Sequence, residues 1–489
     1  MIDYKKIGFK CGIEIHNRLN TKTKLFCNCK PRFSGTKPIE LIKRKLRAVA
    51  GELGQVDVAA MYEYLRDRTF FYNCYPEETC LIEKDEEPPK PINKEALEVA
   101  LQVALLLKAE IPDEIHIMRK TVIDGSNTCA FQRTAIVGLN GVLETSQGKV
   151  GITNICLEEE SAGIVKQEGK EITYRLDRLG IPLIEIGTAP DIKNPEHAKE
   201  VAEKLGMIIR STGKSQRGIG VTRQDINVSI DKGARVEIKG VQELDLIPEL
   251  IENEIKRQQD WIKTREEKPF LAMETLATTR VVKEDGTTVF TRPLPGGERM
   301  YPETDLETVV VTKGFLSKIK VPETWEKKAK RFSKILPRQI VDQVLRSEYL
   351  DLFEKFSKEH DPVLVANTFT SVVKDLRRRR FETGFLTEEH FDKLFSNVKK
   401  KKIAKEAIPE ILEIVCKDKI SMEQAIEKSG FKALTEDQLR KIIKNIFKQH
   451  PKLVKENKVS ALMGEVMKEV RGRIDGKTVS KVLKEELKK

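Results

Sequence analysis

Alternation opens the chain. Ile7, Phe9, Cys11, Ile13 and Ile15 recur on one side of a period of two, while Lys10, Glu14 and His16 fall on the other. The spacing predicts a half-buried strand whose outer face carries Glu14 and His16 about 7 Å apart at Cα. Gly151–Leu157, Ile181–Ile186, Arg223–Ile230 and Arg235–Ile238 read as further strands, with glycine turns at Arg178-Leu-Gly180 and Asp231-Lys-Gly233. Ala96–Leu107 and Ile247–Glu266 carry helical spacing instead, and Pro293-Leu-Pro-Gly-Gly297 marks a rigid loop. After Asp305 the character changes. From Pro322 onward nearly every segment is helical in period and rich in lysine, with capping signals at Thr387-Glu-Glu-His and Thr435-Glu-Asp-Gln. The pattern predicts an α+β protein. A mixed α/β domain with a β-sheet covers residues 1–305, an all-α domain 306–429, and a small all-α tail 430–489, beginning at the break near Gly430-Phe431.

Composition narrows the class. A hydrophobic share of 39% supports real cores in a chain of 489 residues. With no run of about 18 apolar residues and no leader-like h-region in MIDYKKIG, a cytoplasmic protein with no membrane partner is expected. In that compartment eight cysteines read as thiols or metal ligands, not a disulfide framework. The net charge of +12 favours a polyanionic partner, and residues 431–489 supply +8 of it, 16 Lys and Arg against 8 Asp and Glu. The basic runs Arg377–Arg380 and Lys399–Lys402 extend that character, and the scarcity of aromatics around them favours a structured RNA over stacked single strands.

The outer faces of the strands hold the candidate chemistry. Arg223, Asp225, Asn227 and Ser229 alternate with Ile226, Val228 and Ile230; Arg235, Glu237 and Lys239 alternate with Val236 and Ile238. Leu157-Glu158-Glu159-Glu160 adds acids at a strand end. Carboxylates facing one space repel and need a cation, and Mg²⁺ with phosphates points to nucleotide chemistry; pairing of the acids with Arg223, Arg235 and Lys239 is the alternative. His16 is a poor Mg²⁺ ligand, so it either orients a carboxylate or water, or the site takes Mn²⁺. Cys27 and Cys29, with Cys74 and Cys80, are candidates for a closed zinc site joining two segments, the alternative being buried free thiols. Two phosphate-loop fragments fail: Gly213-Lys-Ser215 has Ile208 where a Walker loop needs glycine, and Gly218-Ile-Gly220 precedes a strand.

The motifs GIEIHNRLNTKTKLFC, EETCLIEKDEEPP, RKTVIDGSNTCAFQRT, LDRLGIPLIEI, RQDINVSI, EIKGVQELDLIPE and RPLPGGERMYPETD closely resemble the E-type chain of archaeal Glu-tRNA(Gln) amidotransferases, a relative of the bacterial B-type chain. The resemblance spans nearly the whole sequence and implies a cradle-like catalytic domain, a helical domain and a YqeY-like tail that grips tRNA. It implies a carbon–nitrogen ligase acting on Glu-tRNA(Gln). The γ-carboxylate of the tRNA-bound glutamate is phosphorylated with ATP, and ammonia from an asparaginase-like partner, the D-type chain of the same enzyme, displaces the phosphate. It places the catalytic and Mg²⁺-binding residues at Glu14, His16, Glu158, Asp225 and Glu237, and family zinc ligands at Cys27, Cys29 and Cys80, with Cys74 the less certain fourth. Arg223 and Lys239 are expected to face phosphate oxygens, an inference from alternation.

Three departures stand out, one of them Cys129 in the turn Asn127-Thr-Cys129-Ala, where a small residue is expected. The family's inserted synthetase-like domain is missing, since only residues 262–293 separate the long helix from RPLPGG. Glu160 stands where relatives favour aspartate. A tRNA-binding scaffold without chemistry and a zinc-dependent hydrolase are the competing readings. The ionisable strand faces count against the first, and the second requires an open zinc position.

Overall fold

The structure, a computed structural model, describes residues 2–50, 54–216, 218, 220–267, 277–283, 286–294, 300–431, 434–456, 458–470, 473–474 and 476–487. Residues 295–297 of the RPLPGG loop and Ile219 of the Gly218-Ile-Gly220 fragment lie outside them. The chain divides into two compact units, Met1–Thr324 and Trp325–Lys489.

The first unit carries the strands β1 (Lys10–Arg18), β2 (Glu40–Arg44), β3 (Thr69–Cys74), β4 (Glu114–Ile115), β5 (Ile117–Thr121), β6 (Phe131–Thr145), β7 (Gly148–Glu159) and β8 (Gly163–Glu168). There follow β9 (Glu171–Arg175), β10 (Pro182–Thr188), β11 (Thr222–Ser229), β12 (Val236–Val241), β13 (Thr278–Val282), β14 (Thr288–Pro293), β15 (Met300–Pro302) and β16 (Val309–Val310). Ten of them form one sheet in the order β14-β13-β12-β11-β1-β10-β7-β6-β5-β15. The opening strand lies inside this sheet, antiparallel to β11 on one side and β10 on the other. A smaller sheet, β2-β3-β9-β8, has its own core around Phe70, Tyr72 and Tyr174.

The alternation in β1 has the expected consequence. Cys11, Ile13 and Ile15 are fully buried in the main core with the apolar sides of α1 (Lys94–Leu106), α2 (Pro195–Ser211) and α3 (Ile247–Glu267). Each buried isoleucine contributes about 1.5–3 kcal/mol, enough to fix which face of the strand looks inward. A slip of one residue would drive Glu14 and His16 into that core. Helix α2 starts on Asn194, whose side chain accepts from the His197 N–H, with Pro195 in the first turn.

The first unit runs past residue 305, where the change of pattern had placed its end. β16 pairs with β4, and Val311 and Ile319 belong to the main core, so burial continues beyond the last clear alternation. The second unit is helical. Its apolar residues form two separate clusters, one spanning Phe332 to Ala425 and one spanning Leu439 to Leu483. The capping boxes form at Thr387 with His390 and at Thr435 with Gln438. Among the described residues no helix is long and apolar enough to cross a membrane.

Candidate active site

The outer face of the ten-stranded sheet gathers the four acids and the imidazole singled out above, together with Glu185, into two adjoining triads. Glu14 on β1 is the cross-strand partner of Asp225 on β11, and Glu237 sits on the next strand. Oxygens of Glu14, Asp225 and Glu237 lie within 4.8 Å of one another. Two residues along β1, His16 falls opposite Glu185 of β10, and His16, Glu158 and Glu185 form a second group within the same limit. Strand register builds both triads, because residues two apart on β1 share one face.

Their electrostatics differ. Lys239 bridges Asp225 and Glu237 at 2.8 Å each, while the Gly240 N–H and the Thr279 hydroxyl donate to their remaining oxygens at 2.9 Å. Burial would raise the Asp225 carboxyl, but Lys239 and His16 hold it below its usual value. Among the described residues Glu14 has only the Asn227 side-chain amide as a hydrogen-bond partner, at 3.3 Å. Burial and the charges of Glu185 and Glu237 push it up to about 7. In the second triad Glu158 accepts from Lys120 (2.6 Å), Gln132 (3.0 Å) and Thr134 (3.0 Å). His16 Nε2 meets Glu185 at 3.2 Å; burial alone would lower the imidazole, but Glu185 and Asp225 raise it to about 9. His16 therefore orients a carboxylate, one of the roles its residue type allowed.

One expected phosphate ligand is otherwise engaged. Arg223 donates both guanidinium arms to Glu160, at 2.8 and 3.1 Å, and Arg178 reaches the same carboxylate at 2.9 Å. Burial would raise Glu160, yet the two arginines hold it at about 2. Alternation placed Arg223 on the correct face but could not show that the next acid in the Glu158-Glu159-Glu160 run would claim it. Lys239, the other residue expected to face phosphate oxygens, is likewise engaged, in contact with Asp225 and Glu237. Glu185 was missed, although Ile184 and Ile186 flank it in the same period that exposed the others. Lys120 was missed too, since a lysine in RKT carries no sign of its partner.

The thiols divide. Cys27, Cys29 and Cys80 cluster with Glu83, ligand atoms all within 4.8 Å, and Glu83 touches Cys27 Sγ at 2.8 Å and Cys80 Sγ at 3.1 Å. Cys74 does not join them: it ends β3 pointing into the core of the smaller sheet, beside Phe70 and Tyr72. The fourth donor is Glu83, hidden in the acid run of EKDEE, which reads as solvated. Lys24, fully buried, contacts Glu83 at 3.0 Å. Hydrogen bonds from Cys27 and Cys29 hold the Cys80 thiol far below its usual value, so at least one thiolate is favoured even without metal.

The clustered acids and the imidazole all belong to the ten-stranded sheet of the first unit, and the second unit is helical. Residues 9–317 match the GatB/GatE catalytic domain and residues 351–487 the GatB domain, and the chain belongs to the GatB/GatE amidotransferase family. It is similar to the E-type chain of glutamyl-tRNA(Gln) amidotransferase from Methanocaldococcus jannaschii, 37% identical over all of this chain and 99% of the relative. The same protein of Archaeoglobus fulgidus is 37% identical, again over all of this chain and 99% of the relative. That of Methanosarcina acetivorans is 36% identical over 99% and 98%. The alignment with the first relative runs over 627 positions, so at least 138 (627 − 489) have no counterpart here. That accords with the missing insertion.

Proposed function

We propose that this chain converts Glu-tRNA(Gln) to Gln-tRNA(Gln), using ATP to phosphorylate the γ-carboxylate of the esterified glutamate and ammonia to displace the phosphate. The observation that carries the reading is Glu14. Its carboxylate is gathered with two others yet forms no ion pair among the described residues, so the site is built for positive charge that arrives with substrate. Hard oxygen donors on Glu14, Asp225, Glu237, Glu158 and Glu185 suit Mg²⁺, with His16 holding Glu185 in place. Bound there, Mg²⁺ would supply neutralisation of phosphate charge during transfer. The chain's own residues do the rest: Lys239 bridges Asp225 and Glu237, Lys120 contacts Glu158 and Glu185, and the sheet fixes the spacing of the acids. Three thiols and a carboxylate likewise suit a closed structural zinc site on Cys27, Cys29, Cys80 and Glu83.

An outside source of ammonia is part of this reading. Burial raises the thiols of Cys11, Cys74, Cys129, Cys156 and Cys416, Cys74 and Cys416 to about 11, so none is a ready amidase nucleophile. This favours an asparaginase-like partner protein as donor, and the basic tail favours tRNA as the polyanion. The test is amidation by the purified chain given Glu-tRNA(Gln), ATP, Mg²⁺ and ammonium. Gln-tRNA(Gln) and ADP are expected together; product formed without ATP, or ATP consumed without aminoacyl-tRNA, would refute the reading.

A further inference from the structure

The trough does not stop at Glu14. On the same face of β1 it continues through Gly12 to Lys10, in an open cavity of about 460 Å³ walled by Thr153 and Asn154 on one side and Asn227 and Ser229 on the other. Gly12 and Gly187 make room for it. A Cβ on Gly187 would meet Asn154 Oδ1 at 2.5 Å, and one on Gly12 the Thr188 carbonyl at 3.1 Å. At the far end Lys10 is the cross-strand partner of Ser229, and Arg235 enters from the start of the neighbouring strand. Both cations are exposed, and the described residues give neither an ion-pair partner. Every other named basic residue on this face of the site is committed: Lys239 to two acids, Arg223 to Glu160, Lys120 to Glu158.

Two unpaired cations with a hydroxyl between them suit a phosphate. Among the described residues no aromatic ring lines the cavity, so its walls offer backbone and sugar contacts and no platform for a stacked base. Asn227 lines the same wall, its Nδ2 donating to Glu14 and its buried Oδ1 without a hydrogen-bond partner among the described residues. Four residues of strand separate Lys10 from Glu14, about 13 Å. The consecutive phosphates of one nucleoside triphosphate are too close-set to serve both ends. The phosphodiester before a 3′-terminal nucleotide, set off from the reacting carboxylate by a ribose, an ester and an amino-acid side chain, spans such a gap.

We propose that Lys10 and Arg235 form a phosphate subsite for the backbone of the substrate RNA's 3′ end. This rests on the reading of aminoacyl-tRNA as substrate, but its test does not depend on turnover. The full-length chain and its Lys10→Ala/Arg235→Ala double variant are titrated, without ATP or ammonium, against two RNA acceptor-stem hairpins. One ends in single-stranded CCA; the other lacks those unpaired nucleotides. The double variant should bind the tailed hairpin about tenfold more weakly, with the salt slope falling by about 0.7 per cation removed, and bind the trimmed hairpin as wild type does. Arg235→Lys should retain most of the affinity. In amidation assays the KM for aminoacyl-tRNA should rise while that for ATP stays unchanged. Equal binding of the tailed hairpin by both proteins, equal weakening toward both hairpins, or a rise confined to the KM for ATP would overturn the subsite. Absence of amidation by wild type would sink the function proposed above and leave the hairpin result to stand or fall alone.

Discussion

Glu14, Asp225 and Glu237 meet on three neighbouring strands, whereas Cys27, Cys29, Cys80 and Glu83 meet where loops from two chain segments cross. Both places force together groups that repel when ionised, and they resolve the conflict in opposite ways. In the loop cluster every donor faces another donor, and Lys24 is buried against the one carboxylate, so the site is closed. In the trough, Lys239 satisfies Asp225 and Glu237, while Glu14, beside a cavity, has the Asn227 amide and no ion pair among the described residues. A closed cluster holds a fold together. An open one keeps a destabilised carboxylate available, and that is the condition for chemistry.

The comparison can be broken at several points. The largest stability effect should come from neither site but from the brace between them and the rest of the sheet. Glu160→Gln strands Arg223 and Arg178 and should destabilise by about 3–5 kcal/mol in denaturant unfolding. Because the folded Glu160 is held at about 2, below its unfolded value, its contribution is complete above that unfolded value and is lost as pH falls toward 2. Cys80→Ser should lower stability by about 2–3 kcal/mol and release bound zinc, with activity following the folded fraction. A Cys74→Ser protein that loses zinc equally would return Cys74 to the ligand set. Glu14→Gln should do the reverse and stabilise. In chelator at pH 8 a gain of about 1–2 kcal/mol is expected, constant above about 7 and fading between there and the ordinary carboxylate range, where folding must take up the proton that the unfolded Glu14 has released. Smallest is the helical unit: Lys400→Ala with Lys401→Ala and Lys402→Ala should weaken tRNA binding uniformly and reduce its salt slope by about 2–3, with no change in unfolding.

Much of this was readable in residue order. Strand-like runs between turns located β7 and β10, and period-two spacing located β1, β11 and β12 and named their outward side chains, because a strand with one buried face leaves its register no freedom. What stayed hidden was pairing. Glu185 lies in a motif as regular as that of β1, yet its importance depends on β10 lying beside β1, which strand spacing does not encode. Arg223 shows the same limit in reverse: its face was correct and its partner was not. Glu83 was invisible for another reason, since an acid among acids gives no sign of being buried. The end of the first unit was misplaced because β16 is two residues long, too short for any period.

The account turns on Glu14 being required for chemistry while costing the fold. The direct measurement is the amidation rate of Glu14→Gln protein on Glu-tRNA(Gln) with ATP, Mg²⁺ and ammonium. A fall in kcat of about 10²–10³, from a protein at least as stable as wild type, is the predicted result. A variant that amidates at the wild-type rate would contradict it.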